Sequence, residues 1–149
     1  MKQFFELIPE QFLKAAEGCS EQAITELEQT LGISFPASLR EYLTIFGKKQ
    51  SHFPECHMHG CDDMLRIWEP LNYMRALWED AGINTGFMDN IIFFFNFQDT
   101  YFYVPYEAGD DPAVYALDIG DEPTIRKLND HLSTYIRYWM EQMLTGKYW

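Results

Sequence analysis

The chain has 149 residues, 47% of them hydrophobic and 17% aromatic, with a formal charge of -12 at pH 7. That apolar content fills the core of one ordinary domain and excludes global disorder. The negative charge excludes nucleic acid and acidic membrane as first-choice partners; solubility is its bland account, and attraction to basic proteins its functional one.

Phe4, Leu7, Ile8 and Phe12 recur at helical spacing, which predicts a short amphipathic helix closed by Gly18. Ser20 offers an N-cap hydroxyl, Ile24, Leu27 and Leu31 form the apolar stripe of the next helix, and Gly32 closes it. Pro36 opens a further helix whose stripe is Leu39, Tyr42, Leu43 and Phe46, ended by Gly47. Gln50 to Asp63 reads as a loop rich in His, Cys and Asp. Leu65 to Trp68 alternates like a short strand that stops at Pro70. Leu71, Met74 and Leu77-Trp78 predict a helix ending near Gly82.

The run Ile91 to Phe97 predicts a strand buried on both faces. Gln98-Asp99-Thr100 is turn material, and Tyr101 to Val104 returns as the second strand of a hairpin. Glu107 to Pro112 is an acidic turn, and Val114 to Leu117 is the next strand. Asp121-Glu122-Pro123 is expected to start a long final helix with the stripe Ile125, Leu128, Leu132, Tyr135, Ile136, Trp139 and Met143. Helices, then a meander of strands, then a helix predict α+β: a single domain, 1–149, whose mainly antiparallel sheet is flanked by an N-terminal helix pair and a long C-terminal helix.

Between Ala76 and Ile125 there is no Lys or Arg, yet there are ten carboxylates. The most strand-like half of the chain is therefore anionic throughout. Met1 to Glu6 has neither the apolar run nor the cleavage site of a secretory signal. No stretch approaches the roughly 20 apolar residues of a spanning helix. Cys19, Cys56 and Cys61 make an odd number, which argues against a disulfide framework and for a reducing compartment, so the expected location is cytoplasmic.

The run Ile24-x-x-Leu27-Glu28-x-x-Leu31-Gly32-Ile33-x-Phe35-Pro36-x-x-Leu39-Arg40-Glu41-Tyr42-Leu43-x-x-Phe46-Gly47 resembles the opening signature of the SUKH superfamily. That group includes the yeast cell-wall glucan-synthesis regulator and many bacterial proteins. Phe95 to Phe102 stands where the family places its central hairpin, and Pro112 to Tyr115 is similar to its following strand. The helix through Leu132 to Ile136 resembles its closing helix. The resemblance covers roughly 21–140. Phe46-Gly47 lacks the Asn that commonly precedes the Gly, and the 50–63 loop matches nothing in the pattern. The resemblance implies a protein-binding α+β domain, in bacteria of the kind that serves as an immunity protein neutralising a toxin domain, often a nuclease.

His52-x-x-x-Cys56-His57-Met58-His59-Gly60-Cys61 is the one segment with metal-site composition. Cys56, His57, His59 and Cys61 have the right donor atoms for zinc, but four ligands within six residues close poorly around one ion. The bland reading is an exposed loop or inward-packed thiols. Cys56 or Cys61 with His131 makes a nominal nucleophile pair, without an accompanying oxyanion-hole sequence. Asp110-Asp111 and Asp121-Glu122 read as turn and cap residues before they read as paired acid and base. The hairpin aromatics lack the neighbouring Lys and Arg that base-stacking sites need.

The expectation is therefore a protein that is not an enzyme and has no cofactor, binding a basic protein partner rather than nucleic acid or membrane. The partner-binding residues expected are Asp99, Tyr101, Tyr103, Glu107, Asp110 and Asp111, with Asp62, Asp63 and Glu69 as a second patch. The second face of the hairpin is expected to show Tyr101, Tyr103 or Tyr106 to solvent. The alternative function is a regulatory or scaffold module without a toxin partner.

Overall fold

A computed structural model describes residues 4–5, 10, 17–47, 57–58 and 68–145. Helix α1 is Glu21–Leu31, capped by the Ser20 hydroxyl, which accepts from the Ala23 N–H at 3.1 Å. Gly32 ends it at φ 71°, the left-handed conformation a glycine adopts without a Cβ penalty. Helix α2 is Ala37–Phe46, with Pro36 as its N-cap. Leu39, Tyr42, Leu43 and Phe46 are all buried, as the stripe predicts.

Signature polar residues hold this pair together. The Arg40 guanidinium reaches both Glu28 and Glu21, the latter at 2.7 Å, and Glu28 also accepts from the Phe35 N–H at 2.6 Å. Glu41 accepts from the Phe4 and Phe5 N–H groups, both at 2.6 Å. Gly18 lies against the α2 backbone so closely that a Cβ there would fall 1.6 Å from the Thr44 carbonyl oxygen. The predicted helix before Gly18 otherwise falls outside the described residues.

Helix α3 is Trp68–Asp80, followed by a 3-10 turn at Gly86–Asn90. This corrects the expected strand end at Pro70: Pro70 is the third residue of a helix, in the first turn, where its missing N–H breaks no intrahelical bond. The sheet is a five-stranded antiparallel meander in chain order: β1 His57–Met58, β2 Ile91–Phe97, β3 Thr100–Pro105, β4 Val114–Asp118 and β5 Thr124–Asn129. Helix α4, Leu132–Thr145, is the last described element.

Strand β5 is a second correction, since Thr124–Asn129 was expected to be helix. Ile125, Leu128 and Leu132 fit a helical period, but β4 offers an open edge, and residues Thr124 to Asn129 pair along it. The helix begins later, where long-range caps are available. The Asp111 carboxylate accepts from the Ser133 N–H at 2.9 Å and the Ser133 hydroxyl at 2.6 Å. The Leu132 N–H donates to the Pro112 carbonyl at 2.7 Å.

The sheet is covered on both faces. Helices α1, α2 and α4 pack on one, where Ile92, Phe94, Phe95, Phe102, Val104 and Ala116 join their cores. Leu71 and Trp78 of α3, with Met88, cover Ile91, Phe93, Tyr103 and Leu117 on the other. A bulge between Phe93 and Phe95 lets Phe94 and Phe95 both join the first core. The continuous apolar run of β2 is thus consumed by two cores, and the α+β class holds.

Candidate protein-binding surface

The meander decides where the acidic turns lie. Successive turns of an antiparallel sheet alternate ends, so Asp99, in the β2–β3 turn, sits at the end opposite the Glu107–Asp111 segment. Six residues of β3 separate them, about 20 Å at roughly 3.3 Å per residue. The β4–β5 turn with Asp121 and Glu122 shares Asp99's end, where the Ile119 N–H donates to the Asp99 carbonyl at 3.0 Å. The expected single acidic patch is therefore two poles.

Of the ten carboxylates between Ala76 and Ile125, four are engaged. Glu79 and Asp89 both meet Arg75, at 3.0 and 2.7 Å. Asp118 binds Arg126 at 3.0 Å and accepts from Thr100 at 2.6 Å, and Asp111 caps α4. The Thr100 hydroxyl and then the Arg126 guanidinium hold the Asp118 carboxyl below its usual range. The Thr85 hydroxyl and Arg75 do the same for Glu79. Asp80, Asp99, Glu107, Asp110, Asp121 and Glu122 are exposed, with no ion pair among the described residues.

Two expected contact residues are structural. Tyr103 is 5% exposed and stacks on Tyr115 with ring centroids 5.4 Å apart, because α3 covers the face that was expected to be open. Burial, then the neighbouring Tyr115, pushes its phenol up to about 12. Tyr101 is half-buried beside Phe93. Asp111 is tied into the α4 cap. The Asp110 carbonyl also accepts from the Ser38 N–H at 2.8 Å, so this turn links the starts of α2 and α4. The Asp110 and Glu107 carboxylates still face solvent. Beside them, Tyr106 walls a groove of about 320 Å³ with Leu31, Ile33, Met88, Ile91 and Asp89. Glu69 is exposed in the first turn of α3; Asp62 and Asp63 lie outside the described residues.

Among the described residues no group of three or more His, Cys, Asp or Glu side chains is placed to hold a metal. Cys56, His59 and Cys61 lie outside them, and His57 is described only as a β1 residue opposite Asn96. His131 Nδ1 lies 3.0 Å from the Asp111 carbonyl oxygen, a partner that fixes the ring beside the α4 cap. Cys19 is disulfide-bonded. An odd cysteine count is compatible with one bridge, so the count does not define the compartment. No described helix is long and apolar enough to cross a membrane.

The architecture and surface define a class: an α+β domain whose sheet is covered on both faces and whose exterior is anionic. The family model for the SMI1 / KNR4 family (SUKH-1) matches residues 18–138, and the chain belongs to that family. No curated protein matches it.

Proposed function

We propose that this chain is a cytoplasmic, non-enzymatic protein-binding domain of the immunity type, which neutralises a toxin domain by covering the cationic cleft that the toxin needs for its own substrate. The observation that carries this reading is the set of six solvent-facing carboxylates, without an ion pair among the described residues, in a stretch without one Lys or Arg. Membership of the SMI1 / KNR4 family supports it, since the resemblance implies binding rather than catalysis. A nuclease is the fitting toxin class, because a site that binds phosphate must be cationic and therefore complements an anionic protein.

Affinity isolation from the native organism, followed by inhibition assays with the purified partner, tests it. The expected result is a basic partner whose toxic activity is abolished at stoichiometric amounts of this chain. A partner without toxic activity would favour the regulatory or scaffold role instead. A partner whose affinity survives charge reversal at both poles would overturn the electrostatic reading.

A further inference from the structure

Helix α3 presents two faces of different character. At ~100° per residue, Leu71, Met74 and Trp78 point to one side, and the first and last of these are fully buried against the sheet. Glu69, Tyr73, Ala76, Leu77 and Asp80 share the opposite side, and all are exposed. Tyr73 is 67% and Leu77 45% exposed, one turn apart. Single exposed apolar residues are ordinary, but this pair is contiguous and has a carboxylate at each end.

The helix is held firmly in place. Trp78 Nε1 donates to the Gly120 carbonyl at 2.9 Å. The Arg75 guanidinium on its flank is committed to Glu79, Thr85 and Asp89. A contact surface on so anchored a helix loses little conformational freedom on binding. Arg75 is the one cation of the helix, and these bonds leave the outer face with uncompensated negative charge.

We infer that the outer face of α3 is the docking surface for a basic amphipathic helix of the partner, with Tyr73 and Leu77 as apolar anchors and Glu69 and Asp80 meeting its Lys or Arg. This rests on the protein-binding reading above and gives it a location other than the hairpin. Charge complementarity selects the occupant. A second copy of this chain would set Glu69 and Asp80 of two anionic molecules against each other, whereas a helix with leucine on one side and lysine flanking it satisfies both features.

The test uses the isotope-labelled full chain and two synthetic helical peptides of equal positive charge, one with a leucine face and one with serine in those positions. The expected result is amide shifts centred on Trp68–Asp80 with the leucine peptide, and an affinity lowered about tenfold by Tyr73→Ser/Leu77→Ser and again by Glu69→Lys/Asp80→Lys. All four side chains are exposed, so the variants keep the parent's spectrum elsewhere. Shifts centred on the acidic turns, equal binding of the serine peptide, or undiminished affinity of the serine variant would overturn the inference. A native partner that binds the serine variant as tightly as the parent overturns this face alone and leaves the protein-binding reading standing. Failure to recover any basic partner overturns both.

Discussion

Tyr103 and Tyr42 carry phenols into the two cores, and burial raises the pKa of each above its ordinary value near 10, that of Tyr103 to about 12. Tyr101 is shifted the same way by partial burial and then by Asp99. Between pH 10 and 12 the unfolded chain releases protons that the native protein retains. The contribution of Tyr103 is therefore complete below about pH 10 and disappears as the pH rises through 12. The urea midpoint is expected to fall steeply over that interval, and less steeply in Tyr103→Phe. An equal slope in parent and variant would contradict it. Ser38 gives a second residue-scale prediction. Its hydroxyl is buried in α2 without a hydrogen-bond partner among the described residues. Ser38→Ala removes that desolvated group and improves helix propensity, so stability should rise by about 0.5–1 kcal/mol in denaturant melts. A loss would point to an unrecognised partner. Gly18→Ala should cost at least ~2 kcal/mol, because the new Cβ meets backbone that has no room to yield.

At the scale of elements, what was legible in the sequence depended on whether the deciding interaction was local. Ser20, Gly32 and Pro36 cap or terminate helices through their immediate neighbours, and α1 and α2 lie within a residue of where those signals put them. The apolar run of β2 and the turn at Gln98-Asp99 are equally local. Strand β5 was illegible because the α4 cap at Asp111, which sets where the helix starts, is remote in sequence, while Ile125, Leu128 and Leu132 keep a helical period that happens to continue into a real helix. Two of the candidate surface residues were illegible for the same reason. That Tyr103 lies inside and Asp111 acts as a cap follows from α3 and α4 packing around the sheet, which spacing within the turns does not encode. The outer face of α3 was not read from the sequence either: Leu77 was grouped with Leu71, Met74 and Trp78, and its 45% exposure follows from how the helix seats on the sheet. The cap yields a prediction that separates the two neighbouring acids. Asp111→Ala should lower stability by about 1–2 kcal/mol, whereas Asp110→Lys, altering only a solvent-facing carboxylate, should change it by less than about 0.5. Equal losses in chemical denaturation would mean that Asp111 is not the cap.

For the whole molecule the charge is unevenly placed: two acidic poles about 20 Å apart, at the ends of a sheet whose far edge strand carries Arg126 and Lys127. Arg126 is tied to Asp118 and Lys127 to Asp130 at 2.7 Å, so the molecule's few cations on this side compensate local acids and leave the poles unopposed. Charges on an exposed edge strand also discourage edge-to-edge association, which fits a domain that meets its partner elsewhere. The screening length falls from about 30 Å at 0.01 M salt to about 10 Å at 0.1 M and 3 Å at 1 M. Both poles therefore attract an approaching cationic partner at low salt, and only direct contacts act at high salt. The association rate with a basic partner should fall by ~10- to 1,000-fold across that range, while the dissociation rate changes little. Lysine at Asp99, Asp121 and Glu122 together should slow association at low salt by an amount that vanishes at high salt, since those carboxylates steer without touching a partner seated on α3. The Tyr73→Ser/Leu77→Ser variant should instead speed dissociation at every salt concentration, because an apolar anchor is not screened. Stopped-flow kinetics distinguishes the two. An off-rate that responds to the lysine triple and not to the serine pair would place the contact at the Asp99 pole and remove α3 from it.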